Sequence, residues 1–174
     1  MKINMRTNDI KFVLMKSLYE KSKGIFCSNY QGMGFSECDV IKITKSDLVY
    51  EYEIKTSRSD FKADFKKEYK HNRLSGRIDK DKEYIKWSGH PGRPNYFYYV
   101  CMKDLIKESE IPQYAGLIYI QGKDIKVIKK APKLHSFKAT EKLIRSVCDL
   151  LSARTIFGGC SFMRYLDKKV ESGI

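Results

Sequence analysis

Glu51-Tyr52-Glu53-Ile54-Lys55 reads as a β-strand with its charges gathered on one face. Successive side chains of a strand point to opposite faces. Glu51, Glu53 and Lys55 therefore share one face, and Tyr50, Tyr52 and Ile54 share the other. Charges in a row beside a core are costly unless something uses them. Upstream, 37–44 alternates like a strand, with Glu37, Asp39, Ile41 and Ile43 on one face, and Lys45-Ser46-Asp47 is a turn. The two strands form an antiparallel hairpin. Downstream, Ser57 is placed as an N-cap, with Asp60 three residues later as a capping-box partner.

The helix after Ser57 is regular. Asp60, Asp64 and Glu68 repeat every four residues, Phe61, Phe65 and Tyr69 one step on, and Lys62, Lys66 and Lys70 one step further. The aromatic stripe is expected on the sheet and the charged stripes in solvent. Before the hairpin, Ile10, Val13, Leu14 and Leu18 give a first helix from about residue 7 to Gly24. Residues 29–34 read as a turn-rich stretch. Their Gly32-Met33-Gly34 lacks the lysine and following helix of a phosphate loop. The polar, glycine-containing 71–95 reads as a flexible insertion with a short helical piece at most. Within it, Tyr84 and Trp87 either stack on bases or anchor the insertion. Strands follow at 96–101, 115–121 and 125–129. A helix at 137–153 turns Leu143, Ile144, Val147, Leu150 and Leu151 inward.

The 174 residues suit a single domain, and 42% hydrophobic content suits a globular one. The net charge of +13 points to a polyanion, nucleic acid or an anionic membrane surface. Residues 121–170 carry twelve Lys/Arg against four Asp/Glu. No run is apolar enough to span a bilayer, and residues 1–9 lack the apolar core of a signal peptide, so a cytoplasmic protein is expected. Five scattered cysteines without a CxxC pair argue against structural zinc and a disulfide framework.

Asp39 and Glu53, on neighbouring strands, can face one side and share a hard divalent cation such as Mg²⁺. The Ile54 carbonyl is a further oxygen ligand, and Glu20 on the first helix an optional fourth. Such a cation acidifies a bound water and polarises a phosphate. Lys55 would orient the water and offset developing charge.

The order of acid, ExK strand and helix resembles the PD-(D/E)XK nuclease superfamily. The run Glu53-Ile54-Lys55-Thr56-Ser57-Arg58-Ser59-Asp60-Phe61-Lys62-Ala63-Asp64 resembles more closely the MmcB-like group of DNA-repair endonucleases and related phage proteins. The likeness extends over about 36–134, including Ile111-Pro112-Gln113-Tyr114-Ala115-Gly116-Leu117-Ile118 and Lys130-Ala131-Pro132. It implies an α/β fold with a restriction-endonuclease-like mixed central sheet flanked by helices. It also implies Mg²⁺- or Mn²⁺-dependent hydrolysis of DNA, by endonuclease rather than exonuclease action, in a bacterial or phage-infected cell. By that likeness Asp39, Glu53 and Lys55 are catalytic, and Ser57, Asp60 and Asp64 support them. Arg58, Lys62, Lys66, Lys67, Arg73 and Arg77 are candidates to meet the phosphate backbone. The superfamily's proline is replaced by Cys38, and the insertion at 71–95 leaves substrate preference open. A catalytically weak nucleic-acid-binding module on the same fold is the alternative.

Overall fold

The computed structural model describes residues 5–78 and 80–171, with side chains as far as Phe157. Residues 1–4, part of the stretch tested for a signal peptide, lie outside the described residues. The elements are α1 (Thr7–Lys21), β1 (Gly24–Gly32), β2 (Phe35–Thr44), β3 (Val49–Lys55), α2 (Arg58–Asp64), α3 (Glu68–Leu74), α4 (Asp81–Ser88), β4 (Tyr96–Met102), a short 3-10 helix (Glu108–Glu110), β5 (Ala115–Gln121), β6 (Asp124–Lys129) and α5 (Glu141–Glu171).

The six strands form one mixed sheet in chain order. β1, β2 and β3 are an antiparallel meander, as the hairpin reading required. β3, β4 and β5 run parallel, with α2, α3 and α4 in the crossover from β3 to β4. β6 closes the edge as a hairpin on β5. The α/β class expected from the sequence is the class observed.

The sheet's two faces are used differently. On one, α1 sets Ile10 and Leu14 on Val40, Tyr52, Ile54, Val100, Ile118 and Ile120. On the other there are two separate cores. Under α5, Leu143 and Val147 pack on Cys27, Tyr30, Ile41, Ile43 and Val49. Under α2, Phe61 packs with Phe97, Tyr99, Cys101 and Leu117. Between these apolar patches runs the charged row of β3: Glu51, Glu53 and Lys55.

Several local expectations are corrected. The turn-rich reading of 29–34 missed β1, whose polar Ser28, Asn29 and Gln31 are held in the sheet by pairing with β2. The helix after Ser57 breaks at 65–67, where Lys67 leaves helical geometry (φ −79°, ψ 58°). The aromatic stripe is therefore not a stripe: Phe61 is buried, while Phe65 and Tyr69 are exposed. The stretch 71–95 holds most of α3 and all of α4, and buries Arg73, Ser88, His90 and Asn95. It is tied to the β1–β2 turn. Arg73 donates to the carbonyls of Gly34 (2.7 Å) and Pro91 (2.6 Å). Gly34 and Gly92, both with positive φ, approach so closely that a Cβ on Gly92 would lie 2.8 Å from the Gly34 Cα. The Trp87 side chain is mostly exposed, and its carbonyl accepts from Lys142 of α5 at 3.5 Å. α5 starts at Glu141 rather than 137 and continues past the expected end at 153, to Glu171.

Candidate active site

Ser57 caps α2 as its sequence position requires, its Oγ accepting the Asp60 N–H at 3.0 Å. Asp60 returns the contact by accepting the Thr56 N–H at 3.2 Å. This turn fixes the direction in which the chain leaves β3 and sends Asp64, one helix length later, back over the sheet.

Three carboxylates and three ammonium groups meet there. Glu53 accepts from Lys55 and Lys67, both at 3.1 Å, and from Lys70 at 2.9 Å. Lys70 also reaches Glu51 at 2.6 Å. Asp64 Oδ1 lies 3.0 Å from both Lys55 and Lys67. The Tyr99 hydroxyl donates to Asp64 Oδ2 at 3.0 Å. His71 Nε2 sits 3.0 Å from the Asp64 carbonyl and 3.2 Å from Oδ2, and the Tyr114 hydroxyl is 2.8 Å from His71 Nδ1. Glu51, Glu53, Asp64, Lys55 and Lys70 are all buried; the Lys67 side chain is 52% exposed.

The electrostatics follow from this geometry. Burial is the largest influence on Glu53, but Lys70 and Lys55 overcome it and hold its carboxyl below the usual range. Asp64 is driven far down against its own burial by His71, Lys55 and Lys67. For Glu51 burial prevails over Lys70, and its carboxyl is pushed up. Lys70, despite burial, is pushed well up by Glu51 and Glu53. Burial raises the Tyr114 phenol to about 12, with Asp64 adding to it.

Of the sequence candidates, Glu53, Lys55 and Asp64 come together. Glu51, which the alternation places on the same face as Glu53 and Lys55, is buried in the same cluster. Asp39 makes its contacts with Lys11 and the Ile54 N–H rather than with the groups gathered around Glu53. Cys38 and Ile41, three residues apart, both enter the core under α5, whereas Val40 enters the one under α1. A regular strand would put residues three apart on opposite faces. The alternation slips between them, across from Asn29 with its φ of +47°. Asp39 thus takes Lys11 of α1 at 2.9 Å on Oδ1 and the Ile54 N–H at 2.8 Å on Oδ2. Lys11 also binds Asn29 Oδ1.

Glu20 is exposed and pairs with Lys16 one turn away, and Glu37 is exposed. Arg58 is engaged by Glu110 and the Leu105 carbonyl, and Arg73 is buried in its structural role. Lys62, Lys66 and Arg77 are exposed, and Lys67 is turned into the site. Lys70, His71, Tyr99 and Tyr114 were missed as site residues. Spacing was a signal for His71 alone, seven residues after Asp64 in the unbroken helix the sequence suggested. Cys27, Cys38 and Cys101 are buried free thiols.

The divalent cation implied by the resemblance can be tested against these donors. Hard cations need oxygen ligands. Glu53 and Asp64 supply buried carboxylates about one ammonium apart. Asp64 Oδ1 is buried, and its partners are the ammonium groups of Lys55 and Lys67. Two cations already bridge these carboxylates, the buried Lys55 and the half-exposed Lys67, each within 3.1 Å of Glu53 Oε1 and of Asp64 Oδ1. The donor set fits the group once the exposed Lys67 ammonium leaves, with Lys55 still standing beside both carboxylates. Among the described residues no three His, Cys, Asp or Glu are arranged as a ready-made metal cage.

Beside the cluster lies an open groove of about 1100 Å³, lined by Phe65, His71, Arg77, Tyr114 and Lys133 among others. Among the described residues no helix is long and apolar enough to cross a membrane.

No family model matches the chain, and no curated protein matches it. Among solved structures it is similar to the SPO1766 protein of unknown function from Silicibacter pomeroyi, with a TM-score of 0.61 and 16% identity. That likeness covers 88% of this chain and 91% of the other, and it concerns the fold.

Proposed function

We propose that this chain is a metal-dependent nuclease that hydrolyses DNA phosphodiester bonds, as an endonuclease, in the cytoplasm of a bacterial or phage-infected cell. The observation that carries the reading is the burial of Glu53 and Lys55 side by side near the carboxyl end of β3, with Asp64 brought up to both. Ligands of open α/β sheets gather outside the carboxyl ends of parallel strands. Exposed Lys62 and Lys66 beside the cluster, and the +13 charge of the chain, favour a polyanionic substrate.

Glu53 and Asp64 would hold Mg²⁺ or Mn²⁺, which when bound polarises the scissile phosphate and acidifies a water. Lys55 is the group positioned to orient a water and to offset charge developing on the phosphate, being fixed between Glu53 and Asp64. His71 and Tyr99 hold Asp64 from the side away from the lysines. Asp39, held by Lys11 and the Ile54 N–H, fixes the β2–β3 junction in this reading.

One observation favours the alternative of a nucleic-acid-binding module with weak catalysis. The three carboxylates are matched by three ammonium groups, so a cation enters only by displacing one. The test is cleavage of plasmid and oligonucleotide DNA in Mg²⁺ and in Mn²⁺ by the wild type, Glu53→Gln and Lys55→Met. Cleavage by the wild type alone is the expected result. Cleavage surviving both substitutions would place the chemistry elsewhere, and salt-dependent binding without cleavage in either metal would favour the module.

A further inference from the structure

Lys67 differs from the other two lysines of the cluster. Lys55 and Lys70 are 3% and 5% exposed, whereas Lys67 is 52% exposed and stands at the break between α2 and α3. Its ammonium lies 3.1 Å from Glu53 Oε1 and 3.0 Å from Asp64 Oδ1. Without it the cluster of Glu51, Glu53, Asp64, Lys55 and Lys70 carries one net negative charge. Asp64 Oδ1 would then keep the Lys55 ammonium, 3.0 Å away, as its remaining cationic partner.

We propose that Lys67 is a tethered stand-in cation that closes a divalent-metal site between Glu53 and Asp64, and that a nucleic-acid phosphate opens the site by drawing the Lys67 ammonium onto itself. The nucleic-acid half rests on the function proposed above; the cation half does not. The energetics favour an exchange over a simple release. Pulling Lys67 away leaves two buried carboxylates one cation short, a costly state that an incoming divalent ion relieves. A phosphate oxygen takes the place of the carboxylates as the partner of the ammonium. The stem of Lys67 starts at the protein surface, so its head can turn outward without unpacking either core. Metal and nucleic acid then assist one another, and linkage makes the effect reciprocal. Metal is admitted more readily when substrate is present, which suits a protein whose acids are otherwise neutralised.

The experiment measures Mn²⁺ affinity by electron paramagnetic resonance, with and without a phosphorothioate oligonucleotide, after subtracting Mn²⁺ held by the oligonucleotide alone. The wild type should bind Mn²⁺ about tenfold more tightly with the oligonucleotide, a typical coupling. Lys67→Met should bind tightly without it and gain nothing from it. Glu53→Gln in the Lys67→Met background should lose that affinity. A thermal melt gives a second readout: Mn²⁺ should raise the melting temperature of Lys67→Met more than that of the wild type. Lys67→Gln repeats both measurements should Lys67→Met fold poorly. Mn²⁺ affinity in the Lys67 variants equal to that of the wild type overturns the proposal. So does an oligonucleotide effect that persists in them. Tight Mn²⁺ binding by Lys67→Met with no DNA cleavage by the wild type supports the cation site and sinks the nuclease reading instead.

Discussion

Replacing Lys70 by methionine removes a buried ammonium and keeps the length of the side chain. Lys70 Nζ lies 2.6 Å from Glu51 and 2.9 Å from Glu53, and all three side chains are 5% exposed or less. Without Lys70, Glu51 has no remaining ion pair among the described residues, and Glu53 keeps Lys55 and the half-exposed Lys67. Breaking a buried pair from one side costs about 3–5 kcal/mol, because an uncompensated charge stays behind. That is a large share of the roughly 5–15 kcal/mol that holds a domain together. The cost depends on pH. Burial already pushes the Glu51 carboxyl up, so in the variant the folded state holds that proton more firmly than the unfolded chain does. Stability should then fall as pH rises from about 5 to about 8, since the folded state binds the extra proton. Urea unfolding of the wild type, Lys70→Met, Glu51→Gln and the double variant at both pH values gives the cycle. Lys70→Met is expected to be severely destabilised, more so at the higher pH, and partly rescued by Glu51→Gln. A cost below about 1 kcal/mol at both pH values is what an exposed pair gives, and it would rule out a buried, uncompensated Glu51.

His90 is fully buried, and burial first, then His135, pulls its imidazole down to about 4. Its contribution to stability should be whole above about pH 6.5 and fall by about 3 kcal/mol towards pH 4, a loss that His90→Gln should shrink in pH-resolved urea titrations. Gly92→Ala should lower the unfolding midpoint by an amount worth about 1–3 kcal/mol, through its positive φ and its clash with Gly34. Leu143→Ala, at a fully buried position of α5, should cost about 2–5 kcal/mol in the same assay. Lys62→Ala with Lys66→Ala should flatten the salt dependence of DNA binding by about 0.9 for each phosphate no longer neutralised, read from binding at several salt concentrations.

The sequence was most legible where one local rule suffices. Alternation at Tyr50 to Lys55, the Ser57 cap, and the inward stripe of Leu143 and Val147 each need only a few neighbouring residues. It was least legible where distant partners override local preference. β1 exists because β2 pairs with it, although Asn29 and the flanking glycines look like a turn. Asp39 alternates correctly on paper and is turned away by the slip opposite Asn29, so the expected pairing with Glu53 depends on a backbone irregularity that no motif encodes. Asp64 looked solvated because acids usually are, and Glu51 had no partner in the motif. They are buried because Lys55 from β3 and Lys67, Lys70 and His71 from the start of α3 arrive to neutralise or bind them. The arginines Arg58 and Arg73 looked ready for phosphate, and each is occupied by a carboxylate or by carbonyls brought near only by folding.

Two isosteric variants in one DNA-cleavage assay with Mn²⁺, each first checked for native circular dichroism, decide where the active site lies. Asp64→Asn removes the charge beside Glu53 and Lys55, and Asp39→Asn removes the one beside Lys11. The expected result is a loss of cleavage of about 100-fold or more in Asp64→Asn, with Asp39→Asn within about tenfold of the wild type. Full activity in Asp64→Asn together with its loss in Asp39→Asn would contradict the assignment of the site to the buried cluster on β3.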